Sequence, residues 1–289
     1  MIRIHRGNCT TDLQETLEDR TRKAVEAFNE HGLEGKNFRG LLSSGYQDAR
    51  NRLFRGQHRK CCYCEGKPGL TGQPVEHVRP KSEAVRAGIT DRRRYWWLAW
   101  HWQNLLFACH RCNTAKSAKY PLQGDPLALP GTSTTPYPLP ASCLDLSSES
   151  PLLIDPSRSD PLDHLCWRPV DQSDVPSRWR WKVSCRSSVG QATIQNIKLS
   201  ELDDDVTDHL RRSVVPNVQK TAEALTDGDT DEARGHWNEV QELHLQPLDR
   251  PFRGATWSVL IYLHQRLLNS PESLVLPTRP ECRPPHSIS

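Results

Sequence analysis

Apolar residues recur at helical spacing through 11–30, TDLQETLEDRTRKAVEAFNE, and at period two in shorter segments elsewhere, so the chain reads as mixed helix and strand. Asp12 can cap the first helix, with Glu15 three residues on, and Gly32 and Gly35 break it. Ile2 and Ile4 alternate with Arg3 and His5, which predicts a short opening strand. Residues 44–60, SGYQDARNRLFRGQHRK, read as a second helix with Tyr46, Ala49, Leu53 and Phe54 on one side. Beyond 152 the pattern changes. RWRWKVSC puts Trp179, Trp181 and Val183 on one face of a strand, and CWRPV can pair with it, with Pro169 restricting it to an edge. Residues 201–226, 230–245 and 253–269 read as helices, with Gly228 and Pro247 as breaks, and the tail PTRPECRPPHSIS reads as frayed. Seven prolines among Ser, Thr and Gly in 121–151 mark a linker or an irregular surface segment.

These elements divide the chain into an N-terminal strand and helices (1–60), a motif-bearing core (61–122), a Pro-rich linker (123–151) and a mixed, mostly helical C-terminal region (152–289), an α+β protein. At 289 residues it can bury a substantial core. Mean hydropathy is −0.69. No apolar run approaches the ~20 residues of a membrane span, and the N-terminus has no apolar signal-peptide centre, so a cytoplasmic protein is expected. The net charge of +3 conceals an asymmetry: residues 1–125 hold 22 Lys+Arg against 13 Asp+Glu, and residues 126–289 hold 16 against 22. A basic half attracts polyanions, although a charge run by itself is more often a solvated face.

Four of the ten cysteines form two knuckles, Cys61-x-x-Cys64 and Cys109-x-x-Cys112, and the other six read as bystanders. Four thiolates close a tetrahedral Zn²⁺ shell and leave no open position, so the zinc would be structural. The opposing reading is four unrelated buried cysteines. The 44 residues between the knuckles exceed an ordinary zinc ribbon, so the metal would tie together the ends of an inserted unit.

That insert contains VEHVRPKS. His77 can be neutral and accept a proton from water, and Glu76 is a hard ligand suited to Mg²⁺. In isolation the pair is an exposed acid beside a surface histidine. Asn104, in HWQNLLFACHRCN, is flanked by apolar residues that would bury its amide against a backbone or a histidine. Asn113 can cap a helix beginning there, or its carbonyl oxygen can complete a Mg²⁺ site; Lys116, one turn on, can hold a phosphate. Arg79 and Lys81 can hold flanking phosphates, and Arg92–Arg94 can do the same or solvate a loop. The aromatic run YWWLAWHW reads as core walling before base stacking.

The series Cys-x-x-Cys, Glu-His, Asn-Leu-Leu and Cys-x-x-Cys-Asn-x-x-Lys resembles the HNH endonucleases, whose core is a ββα-metal unit. KCCYCEG, VEHVRPKS, YWWLAWHWQNLLFACHRCNTAK and YPL are similar to the HNH subunit found beside ATPases in anti-phage systems of the Septu type, including retron-linked ones, and LLIDPSRSDPLDHL and ATIQNIKLSEL resemble its C-terminal half more weakly. The resemblance implies a zinc-clamped ββα-metal HNH core over 61–122, with His77 as general base. Glu76 and Asn113 would hold a catalytic Mg²⁺ or Mn²⁺, and Asn104 would orient the His77 ring. Arg79, Lys81 and Lys116 would lie along the phosphates of a nucleic acid, DNA before RNA. Many HNH motifs have Asp where this chain has Glu76, and His where it has Asn113, which leaves the metal preference open. Residues 152–289 would dock a partner ATPase. The competing readings are a non-catalytic zinc module that binds nucleic acid or protein, and an adaptor whose knuckles are scaffolding.

Overall fold

The structure is a computed structural model that describes residues 1–86, 88–92, 95–124, 134–170, 176–266, 268–269 and 271–285. Arg93 and Arg94 of the expected arginine cluster, and 125–133 of the Pro-rich segment, lie outside the described residues. Helices dominate, and the described strands form four two-stranded sheets. The chain divides into two compact units. One gathers Met1–His5, Cys62–Lys67 and Pro156–Arg283; the other gathers Arg6–Cys61, Pro68–Asp155 and the segment from Pro284.

In the second of these units the helix Thr11–His31 buries Leu17, Ala24, Val25, Ala27 and Phe28, positions that fall on one face at 3.6 residues per turn. It stops where Gly32 adopts φ 62, a left-handed conformation that an L side chain resists. A short helix that the hydrophobic pattern did not show, Lys36–Leu42, buries Phe38 and Leu42. Phe28 stacks on Trp96 with ring centroids 4.7 Å apart, and Phe38 meets the same indole edge-on at 5.2 Å. Tyr95, Trp96, Trp97 and Trp100 are at most 1% exposed, so the aromatic run is core and presents no stacking platform. The expected single helix over 44–60 is two elements: a 3₁₀ turn at Tyr46–Ala49, entered through left-handed Gly45, and a helix at Arg50–Gly56. Val75–His77 pairs antiparallel with Leu105–Phe107, and the helix His110–Lys116 follows the latter strand. Ala84–Arg86 and Ile89–Asp91 form a hairpin.

In the first unit Leu165–Pro169 and Trp181–Cys185 pair antiparallel, as the alternation predicts. The helix Ser188–Ile197 begins against this pair, capped by Ser187, whose hydroxyl accepts from Gly190 N at 3.1 Å. Gly190 is required there, because a Cβ would lie 2.1 Å from His164 O. The helix expected over 201–226 divides into Asp203–Ser213 and Val215–Thr226. Pro216 sits at the start of the second, where its missing N–H and fixed φ break one helix and begin another. Thr230–His244 and Arg253–Arg266 complete the set. Glu281–Cys282, expected in a frayed tail, instead pairs in parallel with Arg3–Ile4.

Candidate functional site

The three-residue strands Val75–His77 and Leu105–Phe107 are buried along their whole length, with Glu76 opposite Leu106 and His77 opposite Leu105. Strands this short need external support, and side-chain amides provide it. Gln57, 3% exposed, pairs with Phe107 as a neighbouring strand would. Its Nε2 donates to Phe107 O at 2.9 Å, and its Oε1 accepts from Phe107 N at 2.8 Å. Asn104 does the same for the turn after His77. Its Oδ1 accepts from Arg79 N at 2.8 Å, and its Nδ2 donates to Arg79 O at 2.9 Å and Leu98 O at 3.1 Å. Asn104 therefore grips backbone on both sides of the histidine's pocket, and its amide bonds to peptide groups rather than to the His77 ring.

Glu76 and His77 are 1% and 7% exposed, so the surface-pair reading fails. The His77 ring stands edge-on to Tyr46, centroids 4.6 Å apart, and its Nε2 lies 2.9 Å from Ala99 O. A carbonyl only accepts, so Nε2 carries the proton and the lone pair of the neutral ring resides on Nδ1. Burial, with the nearby charges of Lys81 and Lys116, lowers the ring's pKa to about 3, so the imidazole is neutral at neutral pH.

Glu76 faces the helix His110–Lys116. Its Oε1 pairs with Lys116 Nζ at 2.7 Å, and its Oε2 accepts from Asn113 Nδ2 at 2.7 Å. Lys116 Nζ also donates to His77 O at 2.7 Å, which leaves one of its three N–H bonds. Asn113 lies inside this helix, not at its cap: the N-cap position is Cys109, and Gln73 Oε1 accepts from His110 N at 2.8 Å. Glu76, His77, Asn113 and Lys116 all line one cleft of about 440 Å³, which Tyr46 and Arg50 also line.

The three expected phosphate cations are placed differently. Lys81 lines the cleft, donates to Leu42 O at 2.6 Å and Tyr46 Oη at 2.7 Å, and lies 4.3 Å from the centre of the Tyr46 ring. Lys116 lines it as described. Arg79 does not; its Nε pairs with Glu149 at 2.8 Å, and the two side chains are 7% and 1% exposed. Tyr95 Oη also donates to Glu149, at 2.6 Å, and burial together with that carboxylate raises the Tyr95 pKa. The segment around Glu149, read from its prolines as linker, is thus bonded into the core.

Cys61, Cys64, Cys109 and Cys112 form a cluster that can hold a zinc ion. Their sulfurs all lie within 4.8 Å of one another, against about 3.8 Å between ligands of a tetrahedral Zn–thiolate site. Gly66 N donates to Cys64 Sγ at 3.4 Å. No other cysteine joins the cluster among the described residues. His110 is exposed.

Over 134 residues, 44% of this chain, the sequence is 32% identical to the Septu protein PtuB of Bacillus mycoides (strain KBAB4), of which the match covers 40%. The chain thus matches less than half the length of that curated relative. No family model matches, and no solved structure matches. No described helix is long and apolar enough to cross a membrane.

Proposed function

We propose that the chain is a metal-dependent HNH endonuclease that hydrolyses phosphodiester bonds in nucleic acid, DNA before RNA, and that it is the effector of an anti-phage defence complex with a partner ATPase. The observation that carries this reading is one cleft lined by Glu76, His77, Asn113 and Lys116, presented by two antiparallel strands and a helix beside a four-cysteine cluster. The similarity to a Septu protein supports the defence setting.

Within this reading His77 Nδ1 takes the proton from the attacking water, while the Nε2 contact with Ala99 O holds the ring's tautomer and direction. Asn104 acts on the ring indirectly, by fixing the backbone at Leu98 and Arg79 on either side of the pocket. Glu76 and Asn113 supply the oxygen donors that suit Mg²⁺ or Mn²⁺, ions that take few protein ligands and retain waters and phosphate oxygens. A divalent ion bound there supplies Lewis-acid stabilisation of charge on the phosphate. Lys116 pairs with Glu76 and holds it in place, and its third N–H is left for a phosphate oxygen, as Lys81's is. The test is incubation of the full chain with single- and double-stranded DNA and RNA, with Mg²⁺, with Mn²⁺ and with neither. Ion-dependent cleavage of at least one substrate is expected. Binding without cleavage under every condition would leave a non-catalytic zinc module.

A further inference from the structure

Among the described residues three cations and two acids line the cleft: Arg50, Lys81 and Lys116 against Glu76 and Glu83. Two of the cations are already engaged. Lys116 bridges Glu76 and His77 O, and Lys81 bridges Leu42 O and Tyr46 Oη. Arg50 is different. Its Nε is buried without a hydrogen-bond partner, and no ion pair reaches it among the described residues. That Nε is closed to solvent, but the residue lines the cleft as a permanent cation with no carboxylate partner among the described residues, so its charge is available to an anion in the cleft. The residue is also held in place, because Ala49 before it and Leu53 three residues on are 0% and 3% exposed and anchor the start of the helix Arg50–Gly56.

We propose that Arg50 receives a substrate phosphodiester in this cleft, an inference that rests on the nucleic-acid reading above. A guanidinium offers phosphate a planar fork of parallel N–H donors, which a lysine cannot. Arg50 lines the same cleft as Glu76, His77 and Asn113, so a phosphate held by it would lie in the cleft that carries the metal-binding and proton-accepting groups of the proposed function. The contact is to backbone phosphate and carries no sequence information.

The test measures binding apart from catalysis. Affinity for a short fluorescein-labelled single-stranded DNA is followed by anisotropy over a range of salt, without added Mg²⁺ or Mn²⁺, for the wild-type chain, Arg50→Gln, Arg50→Lys and Arg55→Gln. Arg55 is exposed on the same helix and does not line the cleft, so it is the control. Melting temperature and zinc content accompany each variant. Arg50→Gln is expected to weaken binding about tenfold and to lower the slope of log affinity against log salt by about one. Arg50→Lys is expected to keep the slope and lose several-fold in affinity, and Arg55→Gln to change neither by more than about twofold. Equal effects of Arg50→Gln and Arg55→Gln, or none from either, would overturn the assignment. Cleavage by the wild type with unaltered binding and cleavage by Arg50→Gln sinks this inference and leaves the nuclease reading standing. Arg50-dependent binding by a chain that never cuts does the reverse.

Discussion

Glu76 and Lys116 place a full negative and a full positive charge 2.7 Å apart with both side chains 2% exposed. Losing one member of such a pair leaves the other as an uncompensated buried charge, at a cost of about 3–5 kcal/mol. Lys116→Met is therefore expected to lower unfolding free energy by about that amount in urea titrations, and to abolish cleavage by releasing Glu76. Adding Glu76→Gln to Lys116→Met removes the stranded charge and should restore much of the stability but none of the activity. A Lys116→Met chain as stable as wild type would contradict the pairing. The position of Lys116 is legible in the sequence, because it lies three residues beyond Asn113 on one helical face. The partners of Arg79 and Phe107 are not. Glu149 lies 70 residues from Arg79, and Gln57 lies 50 from Phe107; such contacts leave no periodic trace in the sequence. Burial of Glu76 and His77 was equally invisible, since it depends on what the rest of the chain packs over them.

Three-residue strands and a seven-residue helix have too few internal hydrogen bonds to stand alone. The helix His110–Lys116 carries Cys112, Asn113 and Lys116 together, so holding Cys112 in a metal cluster also holds both partners of Glu76. Cys112→Ser is expected to lose zinc, lower the melting temperature by ten degrees or so, and suppress cleavage; structural zinc stabilises small peptides by roughly 10–16 kcal/mol. Zinc loss by atomic absorption with an unchanged melting curve would show the cluster to be incidental. Elements that end on a stereochemical requirement were readable in the sequence: Thr11–His31 stops at left-handed Gly32, and the Trp181 and Val183 alternation identifies its strand. Elsewhere the apolar periodicity runs across an interruption and hides it. The apolar face of 44–60 continues through a 3₁₀ turn that uses the same side chains, and the helical periodicity of 201–226 runs across Pro216, although the helix itself is interrupted there.

At the scale of the molecule the chain joins a basic amino-terminal half, 22 Lys+Arg to 13 Asp+Glu, to an acidic remainder, 16 to 22. The candidate chemistry lies in the unit that contains most of the basic half. The other unit has its own titrating group. Burial, then the neighbouring His244 and Arg250, lower the His209 pKa to about 4, with Glu65 opposing them. The folded value lies below the ordinary histidine value near 6.5, so the unfolded chain binds the proton first as pH falls. Stability attributable to His209 is complete above about pH 6.5, declines towards pH 4 and is flat below it. The difference in urea midpoint between wild type and His209→Gln should shift against wild type between pH 7.5 and pH 5; comparing the two chains cancels acid loss of zinc, which both share. A pH-independent difference would show that His209 protonates freely in the fold. The central claim concerns the other unit and one imidazole. It is tested most directly by cleavage of a nucleic-acid substrate in Mg²⁺ by wild type and His77→Ala at matched zinc content and melting temperature. The account predicts that the variant, still folded and zinc-loaded, loses at least a hundredfold in rate; equal rates from the two chains would contradict it.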